Sequence, residues 1–178
     1  MSMMNTGLPE KTRIVTDQGM IPIQNIDVKY HTINNIKINA LIHTTLRDKF
    51  LVCFQKHSLG RNYPNKNTLI ARENKIKFRG MFIESCKFVG LFPNVTYVTY
   101  NGEIIYNIII SEHHRMLVNN LVCETIPPIN PIAELYNASF CNETKNKIIV
   151  LLNKSIDESD YLTYIKIISQ FHNWNKLK

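Results

Sequence analysis

Hydrophobic and polar positions follow one period up to about residue 125 and another after residue 130. In the first stretch, short runs rich in Ile, Val, Tyr and Phe are broken by Gly and Asn. Alternating apolar and polar side chains mark strands, because successive residues of an extended chain face opposite ways. Gly and Asn accept the positive φ that tight hairpin turns need. Four hairpins are predicted. TRIVT and MIPI flank Asp17-Gln18-Gly19, and KIKF and MFIE flank Arg79-Gly80. VTYVTY and EIIYNIII flank Asn101-Gly102, the strongest hairpin signal in the chain. MLV and LVC flank Asn119-Asn120. KFLVCFQK is a further strand, and residues 57–67, with Gly60, Pro64 and three asparagines, form a loop.

Pro127, Pro128 and Pro131 mark a boundary, since prolines withhold donors from a sheet and block helix growth. Beyond them, ETKNKIIVLLNK and DESDYLTYIKIISQFHNW carry apolar residues three and four apart, the spacing of amphipathic helices. Ser155 or Asp157 is the expected cap of the second. The pattern divides the chain into a β-domain, 7–126, and a helical C-terminal extension, 127–178, with two or three helices. The extension's apolar faces can dock on the β-domain or on a protein partner, and Trp174 suits either as an anchor.

Composition refines this picture in three places. With 178 residues, 44% of them hydrophobic and 10% aromatic, the chain can bury a core. No apolar run is long enough to span a membrane. MSMMNTGLPEKT has no apolar stretch of the kind a secretory signal needs, so the expectation is an intracellular, non-secreted protein. Cys53, Cys86, Cys123 and Cys141 form no CxxC pair, so no zinc site or other metal site is expected, and they read as reduced core thiols. No cofactor is implied.

The net charge of +7 is uneven. Lys56, Arg61, Lys66, Arg72, Lys75, Lys77 and Arg79 face only one acid in that span, Glu73. Such a run can touch nucleic acid or an acidic partner, or serve as a solvated face. No nucleic-acid-binding motif accompanies it.

Two blocks bear on function. GLPEKTRIVTDQGMIPIQNI resembles the opening block of Hint domains, the autoprocessing fold shared by inteins and hedgehog C-terminal domains. IYNIIISEHHRMLVNNLVCET resembles the closing block, with His114 eleven residues before Thr125. FLVCFQKHSLGRNYPNKNTLIARENKIKFRG, between them, is most similar to stand-alone Hint proteins of large DNA viruses. The resemblance covers residues 7–125 and implies an all-β horseshoe, here with a helical extension, from a viral or similarly AT-rich source. A role in the virion is an expectation from that association.

In the family a cysteine thiol at the domain start attacks the preceding carbonyl, and a Thr-x-x-His element protonates the leaving amine. Inteins finish by cyclising a terminal asparagine that follows a histidine. These are nucleophilic and acid–base steps. Gly7 stands at the cysteine position and has no side chain. Thr6 carries a hydroxyl, but one residue out of register. Ala71-Arg72-Glu73-Asn74 aligns with Thr-x-x-His, and an asparagine shuttles no proton at neutral pH. Glu124-Thr125 replaces His-Asn, and Asn107 replaces an aspartate. A deliberate change would account for Gly7, but not for Asn74 or Glu124. The resemblance therefore leads to a catalytically degenerate Hint fold acting as a structural or protein-binding module, not an active enzyme. A self-cleaving domain with displaced catalytic groups and a basic nucleic-acid-binding module are the alternatives.

Overall fold

The computed structural model describes residues 5–111, 115–126 and 130–176, the side chains of residue 137 and of 172–176 excepted. The strands are β1 Leu8–Pro9, β2 Arg13–Thr16, β3 Gly19–Pro22, β4 Thr32–Ile33, β5 Ile36–Thr44 and β6 Phe50–Phe54. They continue as β7 Thr68–Ala71, β8 Lys75–Phe78, β9 Met81–Glu84, β10 Val95–Thr99, β11 Ile105–Ile110, β12 Arg115–Val118 and β13 Leu121–Glu124. The helices are α1 Pro131–Asn137, α2 Asn142–Asp157 and α3 Tyr161–Lys176. The chain is thus mainly β with a helical C-terminal segment. No helix among the described residues is long and apolar enough to cross a membrane.

Three antiparallel sheets run β1-β11-β5-β4, β10-β6-β7 and β3-β2-β12-β13-β8-β9. Three of the expected hairpins form. Their closing pairs are Thr16↔Gly19, Phe78↔Met81 and Val118↔Leu121. In the last, Asn119 and Asn120 adopt φ of 48° and 71°, the left-handed pair of a primed turn.

The hairpin expected at Asn101-Gly102 does not form. β10 pairs with β6, and β11 pairs with β5 and β1. All six residues of β11 are buried, so both its faces need cover, which a two-stranded ribbon with β10 could not supply. Tyr100 fixes the crossing between sheets. Its N–H donates to the Lys49 carbonyl at 2.9 Å, and its hydroxyl donates to the Glu103 carbonyl and accepts from Leu46 N–H.

The main core lies between the sheets and includes Leu8, Ile14, Phe54, Ile76, Tyr106 and Val118. Phe54, Phe78, Phe88 and Phe92 meet there mostly edge to face, the arrangement that ring quadrupoles favour. A second core joins the helices to the β part. Ile148, Ile149, Leu152, Ile156, Tyr164 and Ile168 pack on Ala40, Ile42, Ile109 and Ile126. The extension therefore docks on its own β-domain. Pro127 and Pro128 lie outside the described residues, while Pro131 opens α1 behind Asn130, whose side chain accepts from Ile132 N–H. The cap of α3 is neither Ser155 nor Asp157, which belong to α2, but Asp160, which accepts from Thr163 N–H at 3.0 Å.

One side chain sets the register of that docking. β4 pairs with β5 only at Ile36 and Lys37, leaving the rest of that edge without a strand among the described residues. Asn153 on α2 donates to the Leu41 carbonyl at 2.9 Å and accepts from His43 N–H at 2.9 Å. A carboxamide bonded to residues i and i+2 imitates a residue of a neighbouring parallel strand, so it blunts the open edge. Burying one Leu or Ile side chain is worth about 1.5–3 kcal/mol. The apolar face thus supplies most of the adhesion, and Asn153 decides alignment. Replacing Asn153 with Ala should lower the unfolding free energy by ~1–3 kcal/mol, measured by urea denaturation, with the far-ultraviolet dichroism of the folded state unchanged.

Candidate functional site

The first described residues lie against the chain after β7. Gly7 O accepts from Ala71 N–H, and Asn5 O accepts from Glu73 N–H, both at 3.0 Å. That spacing continues the β pairing upstream of β1. Asn5 Nδ2 also donates to Glu73 Oε1 at 3.0 Å.

Two asparagines grip the peptide bond between Thr6 and Gly7. Asn107 Nδ2 donates to the Thr6 carbonyl at 3.0 Å, and Gly7 N–H donates to Asn74 Oδ1 at 3.0 Å. The Thr6 hydroxyl reaches Asn107 Oδ1 at 3.4 Å. Both asparagines are buried, so each needs such partners. Asn107 must be an amide here, because a carboxylate could not donate to the Thr6 carbonyl. Asn74 is held in turn by Ser85, whose hydroxyl donates to the Asn74 carbonyl at 2.6 Å and whose N–H donates at 2.9 Å.

Gly7 is fitted tightly into this grip. A Cβ at residue 7 would lie 2.5 Å from Asn107 Nδ2, 2.7 Å from Ile105 Cγ2 and 2.7 Å from the Tyr106 carbonyl oxygen. Its φ of 117° is also one that L side chains rarely adopt. The backbone is built around a residue without a side chain.

The closing strand returns to the same place. Ile126 N–H donates to the Ile108 carbonyl at 3.2 Å, one residue from Asn107. Glu124 and Thr125 are buried just before it, and Lys75 Nζ lies 4.0 Å from Glu124 Oε2. The start of the β-domain, the aligned position Asn74 and the end of the β-domain therefore converge on β11. His114, with Glu112 and His113, lies outside the described residues.

Chemically, the two asparagines hold the amide by hydrogen bonds at its carbonyl and its N–H. A donor on the Thr6 carbonyl would favour attack there, but residue 7 offers no nucleophile. The Asn74 oxygen accepts the amide proton and has none to give a leaving amine. The Thr6 hydroxyl would address the Asn5 carbonyl instead, which accepts from Glu73 N–H. Among the described residues no three His, Cys, Asp or Glu side chains gather as a metal site would need. Asn74 was legible only through the resemblance. The Asn107–Thr6 bond, Ser85 and the Asn5–Glu73 pair carry no sequence signal, because each joins residues distant in the chain.

The basic run does not make one open face. Lys56, Arg61, Lys66 and Arg79 are exposed, and Arg72, Lys75 and Lys77 are half-buried. Arg72 pairs with Asp48 at 2.7 Å and lies over the Tyr97 ring, and Lys75 faces Glu124. Arg79 lies over the neighbouring Phe78 ring.

The cysteines differ from the expectation of four core thiols. Cys123 is buried in β13, and burial pushes its thiol far up. Cys53 and Cys86 are half-buried, and burial raises both. Cys141 is exposed, because it occupies the N-cap of α2 instead of the helix's packed face. Its Sγ lies 3.1 Å from the Thr144 hydroxyl, which, with the Thr144 N–H, holds its pKa below the ordinary thiol value.

No protein-family model matches the chain, and no curated protein matches it.

Gly7→Ala should destabilise the protein by roughly 2–5 kcal/mol, combining an unfavourable φ with overpacking; denaturation of the variant beside the parent measures it. Iodoacetamide should label Cys141 before the other three cysteines, read by peptide mass mapping. Because the Cys141 pKa is lowered, its rate should rise with pH through a midpoint below that of a free cysteine. Thr144→Val should move that midpoint upward.

Proposed function

We propose that this chain is a Hint-like domain that has lost self-cleavage and serves as a structural or protein-binding module. The observation that carries the reading is the Thr6–Gly7 peptide bond, hydrogen-bonded at both ends by asparagines. In the family resemblance, residue 7 would bear the attacking thiol and residue 74 the imidazole. Glycine and asparagine fill those positions, and neither can carry out its step. The meeting of the domain's two ends over β11 supports the likeness, since an autoprocessing fold must bring its entrance and exit together. Tight packing around Gly7 supports long adaptation to glycine over a recent loss of a side chain. A viral source and a place in the virion belong to the same proposal.

The test is an intact-mass measurement of the chain carrying a folded carrier protein ahead of Met1, incubated with and without dithiothreitol or hydroxylamine. One unchanged mass under all conditions is expected. A thiol-accelerated cut between residues 5 and 7 would show that some other group performs the acyl shift and would overturn the reading. Asn74→His should also leave the mass unchanged, because an imidazole at 74 still has no nucleophile to serve.

A further inference from the structure

β10 borders its sheet, and its outer rim is unguarded. The Asn94 carbonyl accepts from Gln55 N–H at 3.0 Å, and Tyr100 N–H donates to the Lys49 carbonyl at 2.9 Å. Between these ladder bonds the pairing with β6 runs in continuous register from Val95↔Phe54 to Thr99↔Phe50. Hydrogen-bonded residues alternate along an antiparallel ladder, so Thr96 and Val98 face β6, while Val95, Tyr97 and Thr99 face away. Val95 N–H accordingly turns from β6 to the Phe92 carbonyl, at 3.0 Å. The Val95 carbonyl, and both backbone groups of Tyr97 and of Thr99, have no hydrogen-bond partner among the described residues.

The other described edges are blunted. β3 ends on Pro22, β9 on Glu84, and β1 and β4 have two residues each. β7 meets the entering chain at Gly7, and side chains of Asn153 and Tyr136 take carbonyls of β5. β10 has none of these devices: it reads VTYVT, without proline, charge or bulge. Thr96, Tyr97 and Thr99 are exposed, so the rim is open to solvent. The face bearing Tyr97 adds apolar surface without net charge. Phe50 is 43% exposed and lies 5.9 Å from the Tyr97 ring, and the Arg72 guanidinium over that ring is paired with Asp48. A neutral rim of β-branched and aromatic residues suits a neutral strand of the same kind, and β10 is itself such a strand.

We propose that two copies of the chain pair edge to edge along β10, antiparallel about a two-fold axis at Tyr97. Tyr97 is the midpoint of Val95–Thr99, so this axis pairs all five residues with five. Tyr97 then exchanges both backbone bonds with the partner's Tyr97, and each Thr99 N–H donates to the partner's Val95 carbonyl. The one mismatch is the Val95 N–H held by Phe92, which leaves the partner's Thr99 carbonyl to water. Pairing sets two Tyr97 rings side by side, each with its Phe50 behind it, and cross-strand aromatic pairs favour such contacts. An isologous contact must complement itself. A neutral rim does so, since any charge on the axis would face its own copy. The contact is smaller than a standard interface, so the expected dissociation constant is on the order of 100 μM. The dimer does not depend on lost self-cleavage, which the mass measurement tests separately.

Sedimentation velocity of the full chain, over about a hundredfold range of concentration reaching ~0.5 mM, reads the association. A monomer–dimer equilibrium is expected. Tyr97→Pro and Thr99→Pro each remove an outward N–H and no bond to β6, and should weaken the dimer about tenfold or more. Tyr97→Glu and Tyr97→Lys should each stay monomeric, because a charge at 97 meets its own copy, and an equimolar mixture of the two should dimerise. Val150→Glu/Leu162→Glu, on the exposed helical face, should associate as the parent does. Dichroism and melting curves equal to the parent's identify the variants that fold, and the charge pair keeps the test decisive where proline unfolds the strand. A parent that stays monomeric over the whole range would overturn the proposal. So would a dimer untouched by the edge variants, one lost in the helical-face variant, or a charge-swap mixture no more associated than its components.

Discussion

Everything else in the molecule arranges itself around the burial of β11 on both faces. Tyr106, Ile108 and Ile110 point into the core between the sheets, and Ile109 points into the core beneath the helices. Ile105 joins a third, smaller cluster with Leu46, Leu51 and Ala71. A strand so placed must have partners along both edges and cover above and below. β1 and β5 supply the edges, and the helices supply one of the covers. The C-terminal extension thus completes the core of the protein and is not an appendage to a finished domain.

Asn107 is the polar exception in that strand, and it explains the grip on the entering chain. A buried carboxamide costs free energy unless its donor and acceptor are satisfied. Thr6 provides for both, through its carbonyl and its hydroxyl. The entering segment must come close enough for these bonds, and only a residue without a Cβ fits between Ile105, Tyr106 and Asn107. Glycine at position 7 and asparagine at 107 are therefore one arrangement. A thiol at position 7 would be incompatible with it unless the backbone shifted. The two asparagines anchor the Thr6–Gly7 peptide from both ends.

Open strand edges pose the second constraint, because unpaired amides invite unintended pairing. Asn153 closes part of the β5 edge with a side chain that imitates a strand, and the Tyr136 hydroxyl takes the Asn39 carbonyl beside it. The basic run between Lys56 and Arg79 has a different fate, with Arg72 and Lys75 turned to carboxylates of the chain itself. Clustering in sequence was a poor guide to charge in space, since β7 and β8 belong to different sheets.

By itself the sequence determined what acts over a few residues. The mainly β character, three turns with their glycine or asparagine, and helices after residue 130 follow from period, φ preference and proline placement. It also excluded a nucleophile at position 7. Tertiary structure decided the rest. β10 and β11 looked like one hairpin, yet joined different sheets, because burial of β11 on both faces outweighed the local turn signal. Asn107 meets Thr6 across 101 residues, and Asn74 meets Gly7 across 67. No window of sequence contains such pairs: which amides meet depends on the register of strands far apart in the chain, and that register is set only when the whole core closes.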